Sequence, residues 1–245
     1  MKPVPDNPGG DWIPTLVWAL HASHSAPMPS SSGPTRSPRS GPPTPAQMRG
    51  LRRRDPLLAR AMGQVAPFPE FPIRADSDSH FHSLAKAIVH QQLSTKAAGT
   101  IHGRVRRLSP GRRFPTPPQI LKLPDAHLRG AGLSRAKTIA IKDLAAKTLD
   151  GSLGLRTIAR RPDEEVIEIL TRVRGIGVWS AQMFLLFRLG RQDVMAGGDL
   201  GLQEGLRILD GLPERPGPKE LEERAEVWAP LRSVASWVLW RLVSA

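Results

Sequence analysis

The sequence predicts an all-α protein, and three observations carry that reading. Strand signals are scarce: the 245 residues contain no tyrosine, and β-branched residues seldom gather into runs. Apolar residues recur instead at helical spacing, as in Phe81, Leu84, Ala85 and Ile88, or Val166, Ile169, Leu170 and Val173. Helix-start chemistry stands before these and similar runs, with Asp55-Pro56, Ser94, Ser134 and Pro162-Asp163 in place.

Residues 1–47 are dominated by Pro, Ser and Gly, clearest in Ala26-Pro27-Met28-Pro29-Ser30-Ser31-Ser32-Gly33-Pro34. Such a segment buries too little apolar surface to offset its ordering entropy, so 1–47 is expected to be a disordered tail. Met28 and Met48 both remain open as natural starts. The apolar stretch Trp12–Ala22 follows Asp11 and contains Pro14, flanks that argue against a cleaved signal peptide. No segment approaches the ~20 apolar residues of a membrane span, and cytoplasmic residence, nucleoid-associated in a bacterium, is expected.

The folded part is expected over 48–245. Asp55 caps a short helix with Pro56 at its first position, and Pro67, Pro69 and Pro72 break the chain that follows. A helix then ends near His90. Gln91-Gln92-Leu93-Ser94 is the joint, after which Ser94 caps a helix burying Ala97, Ala98, Ile101 and Val105. Leu93 is out of place in a turn: either it packs inward as a cap-flanking staple, or it projects for a purpose. Arg104, Arg106, Arg107, Arg112 and Arg113 make the next stretch basic. Beyond the prolines at 115, 117 and 118, one short helix is expected from Ile120 to Leu128. Ser134 then caps a helix to about Thr148. Arg135 and Lys137 at its start oppose the helix dipole, which suits a nearby phosphate, or else they lie on a solvated face.

The stretch from Pro162 to Gly201 is the most informative. A helix begins at Pro162 with three acids behind it, and its periodicity stops at Arg174-Gly175-Ile176-Gly177. Two glycines let the backbone turn where a Cβ would be penalised, with Ile176 free to plug the core. A buried helix follows from Val178 or Trp179 through Phe187. A glycine turn feeding a helix N-terminus suits a phosphate oxygen, although an ordinary helix corner has the same pattern. After Asp199 come a helix to about Ile208 closed by Gly211, a proline loop, a helix over 220–228, the break Ala229-Pro230, and a last helix over 231–243 carrying Trp237 and Trp240.

Composition bounds the partner. The formal net charge is +13 and the pI about 11.3, which implies a polyanion, most commonly nucleic acid. The absence of cysteine excludes disulfides and thiolate metal sites. The seven histidines form no metal pattern in the sequence, with His90 and His102 far from His80 and His82, so no metal or cofactor is expected.

Leu170-Thr171-Arg172-Val173-Arg174-Gly175-Ile176-Gly177-Val178-Trp179-Ser180-Ala181 resembles the helix-hairpin-helix of base-excision DNA glycosylases. Asp193-Val194 through Gly198-Asp199-Leu200-Gly201-Leu202 resembles the acid-bearing loop that follows it there. Gln91-Gln92-Leu93-Ser94, Gly132-Leu133-Ser134 with Lys137, and Arg232–Arg241 fit the same family, the 3-methyladenine DNA glycosylase II (AlkA-type) alkylpurine glycosylases, over roughly residues 50–243. Some relatives carry a four-cysteine iron–sulfur cluster or an N-terminal sheet domain; this chain has neither the cysteines nor a matching segment.

The resemblance implies a helix-hairpin-helix glycosylase fold of two helical subdomains, 48–78 with 199–245 and 79–198, with the active site in the cleft between them. It implies base-excision repair by a monomer acting on damaged double-stranded DNA. Asp199 is then the catalytic carboxylate, with Asp193 as its competitor and a simple helix N-cap as its ordinary role. Trp179, Trp237 and Trp240 would wall the base pocket, and Leu93 and Gln92 would be the wedge that fills the vacated stack. Arg174, Gly175, Gly177, Ser134 and Lys137 would hold phosphates. Strand-cutting relatives place a Schiff-base lysine where this chain has Trp179, so base release alone is expected. Where many members have proline before the loop, Met195-Ala196-Gly197-Gly198 stands, and a looser loop is expected. A non-catalytic DNA-binding module and a glycosylase for other damaged or mismatched bases are the competing readings.

Overall fold

A computed structural model describes residues 40–68 and 79–244. Within them the chain is helical and no strand forms; one isolated antiparallel bridge joins Ser40 to Arg191. Pro69, Pro72, Trp12–Ala22 and most of the expected tail lie outside the described residues.

Two helices open the fold. α1 (Pro45–Arg54) is started by a capping box in which Thr44 and Gln47 satisfy each other's backbone N–H groups. α2 (Pro56–Met62) has Asp55 as N-cap, as expected. The expected tail boundary at 47 is therefore too late. Residues 40–47 are held because Gly41 donates its N–H to the Gly190 carbonyl at 2.9 Å and Gln192 Nε2 donates to the Gly41 carbonyl at 3.0 Å. Buried Leu51 anchors the helix they lead into.

α3 (His80–His90) buries Phe81, Leu84, Ala85 and Ile88, the face read from the sequence, and α4 (Thr95–Arg106) packs beside it. Ala98 and Val105 of α4 are buried, whereas Ala97 and Ile101 are only half-buried. The single helix expected over 120–128 is two, α5 (Pro117–Lys122) and α6 (Asp125–Gly130), because Pro124 cannot continue a helix begun before it. α7 (Arg135–Leu149) packs against both α3 and α5. α8 (Asp163–Thr171) buries Val166, Ile169 and Leu170 as its spacing predicts.

α9 (Val178–Met183) runs on as a π-helical turn over Phe184–Arg188, a widening that the apolar run gave no sign of. α10 (Leu200–Asp210) ends at Gly211, whose φ of 65° is left-handed. α11 (Pro218–Ala225) and α12 (Arg232–Val243) complete the chain.

α10 packs on α12. A Cβ at Gly205 would fall 2.4 Å from the Leu239 carbonyl oxygen, so only glycine lets the two backbones meet there. α2 packs on both helices, and the loop 190–199 runs beneath them. That packing sets Asp199, at the start of α10, beneath the tryptophans of α9 and α12.

Candidate active site

Asp199 is fully buried and caps α10, its Oδ1 accepting the Leu202 N–H at 2.9 Å. Two indoles also donate to it. Trp179 Nε1 donates to Oδ2 at 2.7 Å and Trp240 Nε1 donates to Oδ1 at 3.2 Å. Gly201 makes room for this: a Cβ there would sit 3.2 Å from the Trp240 ring and 3.1 Å from Oδ1. Trp240 in turn stacks on Phe187 with ring centroids 5.9 Å apart.

The loop before Asp199 is not the loose segment expected from its missing proline. It is mostly buried and is sewn to its neighbours. Ser233 Oγ accepts the Val194 N–H at 3.0 Å and donates to the Arg191 carbonyl at 2.7 Å. Gln203 Nε2 donates to the Gly197 carbonyl at 2.8 Å, and Gln182 Nε2 to that of Met195 at 3.3 Å. Buried carbonyls need such donors, and polar side chains supply here what ring rigidity supplies elsewhere. A Cβ at Gly197 would lie 2.3 Å from Glu222 Oε1, so a side chain there would have to displace that glutamate.

Asp193, the competing acid, is bound up differently. Arg232 grips both its oxygens, Nε to Oδ1 at 2.8 Å and Nη2 to Oδ2 at 2.9 Å, and Asp193 also accepts the Arg232 backbone N–H. It caps and neutralises the start of α12. Hydrogen bonding by Asp193, ahead of the burial that opposes it, raises the pKa of Arg232.

Trp237 faces elsewhere. Although Trp237 and Trp240 are three residues apart, Trp237 Nε1 donates to the Ala66 carbonyl at 3.1 Å and its ring meets the edge of Phe68. The structure thus brings Trp179 and Trp240 together at Asp199 and leaves Trp237 on the 66–68 segment.

The phosphate and wedge candidates meet around α7. Gly175 has φ 78° and sits so close to α7 that a Cβ would lie 3.2 Å from that of Ala140. Asp143 of α7 accepts the Arg174 N–H at 2.8 Å, fixing the hairpin entry, and Gly177 is the N-cap position of α9. Ser134 caps α7 by accepting the Lys137 N–H at 3.2 Å. Arg174, Gly175, Gly177 and Ser134 are exposed. Lys137 is turned inward: Nζ donates to the carbonyls of Val89 at 2.8 Å and Gln91 at 2.7 Å, and burial lowers its pKa. At the turn between α3 and α4, which carries the wedge candidates, Gln92 is exposed with φ 54°, a left-handed conformation rare outside glycine, while Leu93 is half-buried. Gln92 is therefore the tip of the turn and Leu93 its shoulder.

Sequence reasoning missed Gln91, Asp143, Gln203 and the α12 serines. Ser233 and Ser236 sit in the apolar run between Arg232 and Arg241, and that was the available signal. It also separated histidines that the fold joins. His82 and His102 approach at 2.8 Å between Nε2 atoms, stacked with Phe114, and His90 lies beside them. Burial, then His82, Lys86, His90 and Arg106, push the His102 pKa down to about 3. Among the described residues no group of three or more His, Asp or Glu side chains is arranged to hold a metal, and no helix is long and apolar enough to cross a membrane.

A helix-hairpin-helix turn, a following buried aspartate and a helical scaffold define a class. Residues 85–230 match the model of the HhH-GPD superfamily of base excision DNA repair proteins, and the chain belongs to that family. Among its relatives is DNA-3-methyladenine glycosylase 1 of Schizosaccharomyces pombe, 37% identical over 162 residues, covering 66% of this chain and 71% of that one. The DNA-3-methyladenine glycosylase of Saccharomyces cerevisiae is 33% identical over 203 residues, covering 68% of each. Of solved structures, the S. pombe 3-methyladenine DNA glycosylase in complex with abasic DNA superposes with a TM-score of 0.72 at 32% identity, covering 82% of this chain and 98% of that one. The DNA-3-methyladenine glycosidase of Bacillus halodurans gives 0.71 at 36% identity, covering 80% and 88%.

Proposed function

We propose that this protein is a monofunctional DNA glycosylase that hydrolyses the N-glycosidic bond of alkylated purines of the 3-methyladenine type in double-stranded DNA, as a monomer and without a cofactor. The observation that carries the reading is the buried Asp199 carboxylate at the start of α10, held by Trp179 of the helix that leaves the hairpin and by Trp240. The named relatives and the DNA-bound neighbour support it.

Breaking the bond leaves positive charge on the sugar, and a fixed carboxylate in a water-poor site stabilises that charge without reorganising. Asp199 has this character. Because it is buried, its charge acts across the edge of Trp179, or by contact once that indole releases Oδ2. A flipped base needs an aromatic surface, and a cationic alkylpurine stacks well on indole, which assigns Trp179 to the pocket wall. Gln92 and Leu93 take the vacated stack. The exposed hairpin with Arg174, Gly175 and Gly177, and the Ser134 turn beside it, take the backbone.

Incubation of the full chain with methylated DNA, followed by chromatography of released bases, tests the assignment. Free 3-methyladenine is expected, with strand breaks appearing only after alkali or heat. Trp179 offers no amine, so borohydride should trap no covalent adduct. Binding without release would reduce the protein to a DNA-binding module, and trapping or release of other damaged bases alone would move it to another glycosylase class.

A further inference from the structure

The turn between α3 and α4 is gripped from two sides. Lys137 of α7 reaches the carbonyls of Val89 and Gln91, where the last turn of α3 has run out of helical donors. Gln91 then reaches across to the hairpin, its Nε2 donating to the Gly175 carbonyl at 2.8 Å and lying 3.5 Å from Ser180 Oγ. The hairpin is tied to the same helix through Asp143 and Ala140. Between these ties stands Gln92 in its left-handed conformation, a strained backbone state that persists only where its surroundings impose it.

Granting the base-flipping reading above, we propose that Lys137 and Gln91 are positioning residues that hold the wedge turn in fixed register with the hairpin, and that Lys137 acts through the turn rather than on a DNA phosphate. The ammonium is directed at two carbonyls and burial disfavours its charge, an environment unlike that of a phosphate ligand waiting in solvent. One helix, α7, would then set the distance between the group that enters the stack and the group that grips the backbone.

The test uses the full chain with Lys137→Met, Lys137→Arg and Gln91→Ala. Single-turnover release of one methylated purine is measured from a paired duplex and from a duplex in which the same lesion is mispaired. Affinity for a duplex with a stable abasic analogue is titrated against salt, and melting temperatures are recorded. Lys137→Met should lose about tenfold on the paired site but under about threefold on the mispaired one, where unstacking is already cheaper. Lys137→Arg should recover part of the loss, Gln91→Ala should repeat the pattern more weakly, and the salt slope should not move. A slope reduced by about 0.9 with uniform loss would make Lys137 a phosphate ligand and overturn the proposal. Equal loss on both substrates, in step with a lower melting temperature, would overturn it as well. If Lys137→Met does not fold, Gln91→Ala decides by the same readouts. If the parent protein releases no base, fluorescence of 2-aminopurine beside the abasic analogue still reports unstacking: a smaller rise in the variants upholds the positioning role, and an unchanged rise overturns it.

Discussion

Asp55 and Asp199 both stand at helix N-termini, both are buried, and both accept an indole N–H at 2.7 Å, from Trp228 and Trp179 respectively. They differ in what else holds them. Asp55 faces Arg224, whose Nη2 donates at 2.7 Å while its guanidinium also binds Asp210 and lies over the Trp228 ring. Asp199 accepts from a second indole and a backbone amide as well. A guanidinium cancels a carboxylate's field beyond the pair; N–H dipoles fix the carboxylate in place and leave its net charge to act on a cation nearby. The same capping architecture thus joins a guanidinium to one acid and a second indole to the other. Asp193, gripped by Arg232, falls with Asp55.

Breaking the Asp55 cap should give the largest effect. Asp55→Ala removes the N-cap of α2 and the acceptor of the Trp228 N–H, and leaves Arg224 with Asp210 alone, so stability should fall by about 2–5 kcal/mol. Release per folded molecule should not change, which comparison of melting curves with single-turnover rates will check. Trp240→Phe keeps an aromatic ring against Phe187 but removes one donor to Asp199. Release should drop about tenfold, equivalent to about 1.4 kcal/mol in the barrier, with a smaller change in melting. If the rate held while melting fell, the indole would be packing alone.

The smallest effect is in acid. Burial raises the pKa of Asp55, but hydrogen bonds from Leu58, Trp228 and Arg224, with the Arg224 charge, outweigh it and hold the pKa below the ordinary aspartate value of 3.8. A carboxylate lowered in the folded state binds fewer protons than the unfolded chain. Its stabilisation is therefore complete above the ordinary value and is lost as pH falls through the folded one. Asp55→Asn should flatten that acid limb, and melting temperatures recorded between neutral pH and pH 2 will show it.

Much of this was legible because local chemistry and packing agree. The caps at Asp55, Ser94 and Ser134, the α8 face and the hairpin glycines are each specified within a few residues. α1 was not, since a capping box within a Pro- and Ser-rich stretch reads as linker until Gly190 and Gln192 are seen to pair with Gly41. Asp199 could be read both as a cap and as an acid, and the structure shows the cap in place. The roles of Trp240 and Trp237 could not be separated by spacing. Their difference arises from Gly201 beneath one and Ala66 beside the other, contacts made across the chain.

The central claim is that the charge of Asp199, rather than its capping, drives base release. Asp199→Asn can still cap Leu202 and accept from Trp240, but its amide turns a donor toward Trp179 Nε1, so stability should fall by about 1–3 kcal/mol. Asp55→Asn is the matched control, with the same change at the other indole-bonded cap. Single-turnover release of 3-methyladenine from a defined duplex, measured where both variants are folded, should fall about a hundredfold or more for Asp199→Asn. Asp55→Asn should stay within about threefold of the parent. Release that survives in Asp199→Asn, or that falls equally in both variants in step with their melting temperatures, would contradict the account.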